Sequence, residues 1–241
     1  MAGNSEETAG SKPVCIVVDD TRRVSGLLQS VAGARVCYLL AHGAGAGMQH
    51  PFLEHMAQSL AERGITALRY QFPYMEQGSR RPDVPKLAHA TVRAAAEEAS
   101  RLVPELPLFA GGKSFGGRMT SQAQAESPLP GVHGLIFLGF PLHPPGKPSV
   151  DRAEHLYQVQ IPMLFLQGDR DEFAELNLLR SVTDRLAARA TLKLFEGADH
   201  SFHVPARMVR KDADIRAQMS DIVKDWIAAV LSDSPLGKET K

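Results

Sequence analysis

Short runs of aliphatic, aromatic and β-branched residues alternate along the chain with longer stretches in which apolar positions recur at helical spacing. Residues 14–18 and 23–29 read as early strands able to pair. Residues 35–40 form a nearly continuous apolar run of the kind buried on both faces. In 51–63, Phe52, Met56 and Leu60 fall at fourfold spacing and Gly64 supplies a stop, which predicts a helix. A strand at 65–70 follows, then a proline- and arginine-containing stretch, 71–85, read as an exposed loop. Alanine-rich 86–103 is predicted helical, 107–110 a strand and 115–126 a helix. Residues 134–139 and 162–167 are strands separated by a proline-rich loop at 140–150. Helix 175–188, strand 191–195 and helix 212–231 complete the series.

Strands alternating with helices argue for the α/β class: a mostly parallel sheet of about seven to eight strands with helices on both faces. A chain of 241 residues, 44% of them hydrophobic, suffices for one large core. The expected organisation is a flexible start at 1–12, one domain at 13–231 and a flexible tail at 232–241. Lys plus Arg and Asp plus Glu both total 27, so no net field draws in nucleic acid or an acidic membrane, and neither is expected as a partner. The first residues lack the basic and apolar regions of a signal peptide, and no apolar run has transmembrane length, so a cytoplasmic location is expected. Cys15 and Cys37 lie in apolar runs, where thiols behave as small buried hydrophobes, and no Cys/His spacing suggests a metal.

The chemistry is carried by Gly112-Lys113-Ser114-Phe115-Gly116, a G-x-S-x-G pattern between a predicted strand and a predicted helix. A strand that stops abruptly there forces the serine into a strained conformation with its hydroxyl exposed, and glycines on both sides avoid collisions with neighbouring backbone. The same residues resemble the end of a phosphate-binding G-x-x-x-x-G-K-S loop, but Pro107 occupies the position of its first glycine. A glycine-rich turn without chemistry is the bland alternative.

A serine hydroxyl needs a base and a group that orients the base. The strand at 162–167 runs into Asp169, Asp171 and Glu172; Asp171 is the chosen acid, the others being alternatives that also suit a solvated turn or helix cap. After the strand at 191–195 come His200 and His203, with His200 the better-placed base and His203 a neighbouring or surface residue. The oxyanion of acyl transfer requires backbone N–H donors, read here as Phe115 after the serine and Ala44 in the turn His42-Gly43-Ala44-Gly45, with Gly45 next best. That turn fails as a dinucleotide fingerprint, because the third glycine is replaced by Met48 or His50 depending on the frame.

With His42-Gly43-Ala44-Gly45, Gly111-Gly112-Lys113-Ser114-Phe115-Gly116-Gly117-Arg118 and Phe140-Pro141-Leu142-His143-Pro144, the chain resembles the α/β-hydrolase superfamily over about 14–231. It is most similar to the small lidless, dienelactone-hydrolase-related group that includes testis-expressed and NSL-complex hydrolase-like domains. The resemblance implies the fold, the positions of Ser114, Asp171 and His200, and serine hydrolase activity. Dienelactone hydrolases themselves use a cysteine nucleophile where this chain has Ser114, so their substrate is not implied.

The short span 139–161 leaves little chain for a cap. Phe140, Leu142, His143, Phe72 and Tyr74 are expected around a small or open pocket, and Arg118 is expected to bind a carboxylate or form an ion pair. The leading expectation is a cofactor-free carboxylesterase acting on small esters, with thioesters and amides in the same chemical class. A non-catalytic interaction domain on the same scaffold is the alternative.

Overall fold

The computed structural model describes residues 10–233. The expected flexible ends lie mostly outside that range, but Ser11 and Lys12 already belong to a strand, and the last helix runs two residues past the expected boundary to Asp233.

Eight strands form one sheet: β1 (Ser11–Val17), β2 (Arg23–Gln29), β3 (Val36–Ala41), β4 (Ile65–Tyr70), β5 (Leu108–Lys113), β6 (Val132–Leu138), β7 (Met163–Gly168) and β8 (Ala190–Phe195). Their order across the sheet is β1-β2-β4-β3-β5-β6-β7-β8. β1 and β2 join antiparallel; from β4 to β8 every pairing is parallel.

The helices are α1 (Pro51–Ala61), α2 (Pro73–Glu76), α3 (Pro85–Leu102), α4 (Phe115–Glu126), α5 (Leu176–Leu186) and α6 (Asp212–Asp233). The period-two geometry of β3 sends Cys37, Leu39 and Ala41 to one face and Val36, Tyr38 and Leu40 to the other, and all six are buried. On the first face lie α3, α4 and α5, through side chains such as Val92, Met119 and Val182; on the second, Met56 of α1 packs with Met219 and Val223 of α6.

Three expectations change. Phe72 and Tyr74, in the stretch expected to be an exposed loop, are buried, because α2 folds them back against Phe115. β5 extends through Gly111 and Gly112, which read as turn residues in the sequence but remain in register with β3 and β6. A Cβ on Gly111 would lie 1.9 Å from the Ile136 carbonyl oxygen, and one on Gly112 2.2 Å from that of Ala41; the missing side chains are what let these strands close up. Cys15 is exposed, since β1 is an edge strand with one face to solvent, whereas Cys37 is buried and its thiol is pushed up to about 12.

Between β6 and β7 the chain forms a 3₁₀ helix, Asp151–Gln158, whose Ala153 and Leu156 enter the core beside α4. It adds nothing over Ser114.

Candidate active site

After β3 the chain moves to β4 on one side, then crosses back to place β5 on the other side of β3. In open parallel sheets such a reversal leaves a crevice at the carboxyl ends of the two strands. His42-Gly43-Ala44 follows β3 there, and Ser114 follows β5.

Ser114 has φ 49° and ψ −114°, a left-handed conformation that costs a non-glycine residue about 1–3 kcal/mol unless its surroundings impose it. Here they do. A Cβ on Gly116 would come within 2.5 Å of the His42 carbonyl oxygen, so α4 starts hard against the end of β3. Ser114 stands at the N-cap of α4 but makes no side-chain capping bond, which leaves its hydroxyl free for another partner.

That partner is His200. Its Nε2 lies 2.9 Å from Ser114 Oγ, and its Nδ1 lies 2.6 Å from Asp171 Oδ2. Because Asp171 is an acceptor, Nδ1 carries the imidazole proton and Nε2 is the acceptor facing the serine. The Asp171 side chain is fully enclosed and also accepts from Gln167 Nε2 at 2.5 Å and from the Phe173 amide at 2.8 Å. Gln167 is itself held by the Phe140 amide, which donates to its Oε1 at 2.8 Å. Gly168 makes the approach of the two loops possible: a Cβ there would stand 2.2 Å from the Ala198 carbonyl oxygen.

Burial pushes the His200 pKa below its ordinary 6.5; the hydrogen bond to Asp171 opposes that, and the nearby Lys113 charge reinforces it. The alternatives fall elsewhere. Asp169 accepts from the Gly197 amide at 2.7 Å, Glu172 is exposed, and His203 turns outward to Asp212 at 2.9 Å.

Of the expected oxyanion donors, Gly45 is engaged: its amide donates to Tyr74 Oη at 3.0 Å. Among the described residues no acceptor is found for the amides of Ala44 and Phe115. His42 fixes the base of this turn. Its Nε2 accepts from the Phe72 amide at 3.1 Å, so Nδ1 donates to the Gly43 carbonyl at 2.8 Å, and burial holds the ring neutral with a pKa of about 4.

The cavity over Ser114, about 320 Å³, is lined by Gly43, Ala44, Ala46, His50, Phe52, Leu53, Lys113, Phe173, His200 and Ser201. None of the five expected lining residues is among them. Phe72, Tyr74, Phe140, Leu142 and His143 are all buried, the aromatic and apolar ones having been taken up by the core. Phe52 escaped notice because it read as the core face of a helix, and Phe173 because it falls between the acidic turn and the helix expected at 175–188. Arg118 is partly buried, forms no ion pair among the described residues, and has its Nε enclosed without an acceptor. It lines no part of this cavity. Among the described residues no group of three or more His, Cys, Asp or Glu side chains is placed to hold a metal ion, and no helix is long and apolar enough to cross a membrane.

A sharply turned serine between a parallel strand and a helix, on a sheet of this order, defines the α/β-hydrolase architecture. Residues 34–228 match the family described as the alpha/beta hydrolase domain, and the chain belongs to that family. Similar solved structures include an α/β serine hydrolase without lid from Xanthomonas campestris, 23% identical, with 90% of this chain and 95% of that one covered and a TM-score of 0.70. A dienelactone hydrolase from Anabaena variabilis is 19% identical over 91% and 97% of the two chains, with a TM-score of 0.72. The protein Est1E from Butyrivibrio proteoclasticus is 15% identical over 93% and 100%, with a TM-score of 0.69. At these identities the likeness is one of fold.

Proposed function

We propose that this protein is a serine carboxylesterase acting on small esters through Ser114, His200 and Asp171. The observation that carries the reading is the continuous hydrogen-bonded relay from Ser114 Oγ through His200 to the enclosed Asp171 carboxylate.

Ser114 Oγ attacks the acyl carbon while His200 Nε2 takes its proton, and Asp171 balances the imidazolium through Nδ1–H. The oxyanion is received by the unengaged amides of Ala44 and Phe115. Loss of one such donor typically costs on the order of 100-fold or more in rate. Collapse expels the alcohol, which leaves with the proton from Nε2. Water then attacks the acyl-enzyme with His200 again as base, and the carboxylic acid departs. The compact cavity, with Phe52, Leu53 and Phe173 in its wall, favours a short or aromatic acyl group. The names of similar folds point the same way: one is the esterase domain of a Rhodothermus marinus protein, another a cold-adapted esterase from an Arctic intertidal metagenomic library.

The test is a fluorophosphonate probe and a series of p-nitrophenyl esters, applied to wild type and Ser114→Ala. Labelling and turnover in wild type, both abolished in the variant, is the expected result. A folded wild type that neither labels nor turns over any acyl ester would leave an interaction domain as the better reading.

A further inference from the structure

Lys113, the residue that lent the serine turn its resemblance to a phosphate loop, turns to the loop that carries His200. Its Nζ donates to the main-chain carbonyl of His200 at 2.5 Å and sits 5.5 Å from the centre of the Phe202 ring. The glycine at 139 is part of the same enclosure: a Cβ there would stand 2.9 Å from Lys113 Nζ and 3.4 Å from His200 Nδ1. A residue joined covalently to Ser114 thus grips the backbone of the residue that accepts the serine proton.

The loop it grips needs holding. Phe202 has φ 60°, uncommon for a phenylalanine, and the turn is folded around Asp199, whose Oδ1 accepts from the amides of Ser201 at 2.8 Å and His203 at 3.0 Å. These bonds fix the shape of the loop but not its distance from β5. Among the described hydrogen bonds, the only ones from the β5 turn to this loop are those of Lys113 to the His200 carbonyl and of Ser114 to the imidazole.

We propose that Lys113 is a positioning residue for the hydrolysis: its ammonium ties the His200 backbone to the nucleophile turn and sets a positive charge beside the imidazole. The inference rests on the serine hydrolase reading. The charged groups around this point are few. Asp171 after β7 and Asp199 in the His200 loop face both Lys113 and His200, and both favour the imidazolium; Lys113 opposes them. Enclosure lowers the lysine to about 8, so its charge is fully present in the acid range where His200 titrates. Removing the charge therefore raises the pH at which His200 takes a proton, and removing the tie lets the base drift from Ser114 Oγ.

Three variants separate these effects. Lys113→Met loses both tie and charge, Lys113→Gln keeps an N–H donor without charge, and Lys113→Arg keeps the charge. The readouts are thermal melting, the NMR titration of the His200 imidazole, and acylation by p-nitrophenyl acetate as a function of pH, per mole of folded protein. Lys113→Met is expected to acylate about 10- to 100-fold more slowly, the scale of a misplacement near 1 Å. Its His200 titration and acid limb should move up by at least about half a unit. Lys113→Gln should show the same upward movement with a smaller rate loss, and Lys113→Arg should return the titration to the wild-type position. Folded Lys113→Met and Lys113→Gln proteins with the wild-type His200 titration would overturn the proposal. So would failure of all three variants to fold, which would make the lysine a packing residue. The imidazole titration needs no turnover, so a wild type inert toward esters would refute the hydrolase reading separately.

Discussion

The Asp171→Asn substitution probes the relay where it is most enclosed. The carboxylate has no solvent exposure and receives three donors: His200 Nδ1–H and Gln167 Nε2–H on Oδ2, and the Phe173 amide on Oδ1. An asparagine offers one acceptor oxygen and an NH₂ group to the same three donors. If the NH₂ occupies the Oδ2 side it opposes Gln167, and the imidazole satisfies it only by moving its proton to Nε2, which then cannot accept from Ser114. If the NH₂ faces the Phe173 amide, that donor is left without an acceptor at a cost of about 1–3 kcal/mol, and the imidazolium has no counter-charge. The first orientation removes the base and the second deprives it of its counter-charge, so acylation should fall on the order of 10³–10⁴-fold, the larger figure being the effect of the same change, through the wrong tautomer, in a serine protease triad. A 10⁴-fold loss corresponds to about 5.5 kcal/mol of barrier. The sign of the pH effect follows from the causes of the His200 shift. Under the proposed mechanism acylation requires neutral imidazole, so it should rise through an acid limb below 6.5 and level off near neutrality. Asp171 favours the imidazolium, so the residual activity of the variant should have its limb at still lower pH. Stopped-flow acylation with p-nitrophenyl acetate, on protein whose folding is checked by thermal melting, measures both. A folded variant within tenfold of wild type, or one whose limb moves up, would refute the reasoning.

Gly116→Ala places a methyl 2.5 Å from the His42 carbonyl oxygen and 2.7 Å from Ala41 Cβ; neither can yield without moving β3, so a loss of about 1–3 kcal/mol in chemical denaturation is expected, and wild-type stability would contradict the packing described. His203→Ala should change acylation by less than about threefold because that ring is exposed and bonded to Asp212, whereas His200→Ala should cost on the order of 10³-fold or more. Comparable losses in the two would reverse the assignment of the base. Tyr74→Phe removes the acceptor of the Gly45 amide and loosens the turn proposed to receive the oxyanion; a two- to tenfold fall in kcat with KM little changed is expected, about one ordinary hydrogen bond in free energy, and an effect confined to KM would place Tyr74 in substrate binding instead.

The parts of this molecule that were legible in the sequence are those where local chemistry and global position coincide. Ser114 announced itself because a left-handed serine needs small neighbours on both sides, and Gly112 and Gly116 supply them between a strand and a helix. Asp171 and His200 stood out because both follow apolar runs that become β7 and β8, so strand ends alone brought them to one edge of the sheet. The pocket wall was illegible for the converse reason. An aromatic residue in a proline-rich loop gives no sign of which way the loop folds, and here α2 turns Phe72 and Tyr74 into the core while Phe52, at an apolar helical position, lines the cavity. Gln167 was invisible in a different way. It sits at a buried β7 position where an aliphatic residue would satisfy every sequence pattern, and only the third dimension shows its amide spanning the Phe140 backbone and Asp171. A buried polar side chain persists only where its hydrogen bonds are met, so an uncharged glutamine inside an apolar strand is itself a signal that the strand ends at a polar network. The same logic reaches Lys113. A lysine between a buried strand and a strained serine must find an acceptor or leave the interior, and the acceptor it finds is the carbonyl of His200.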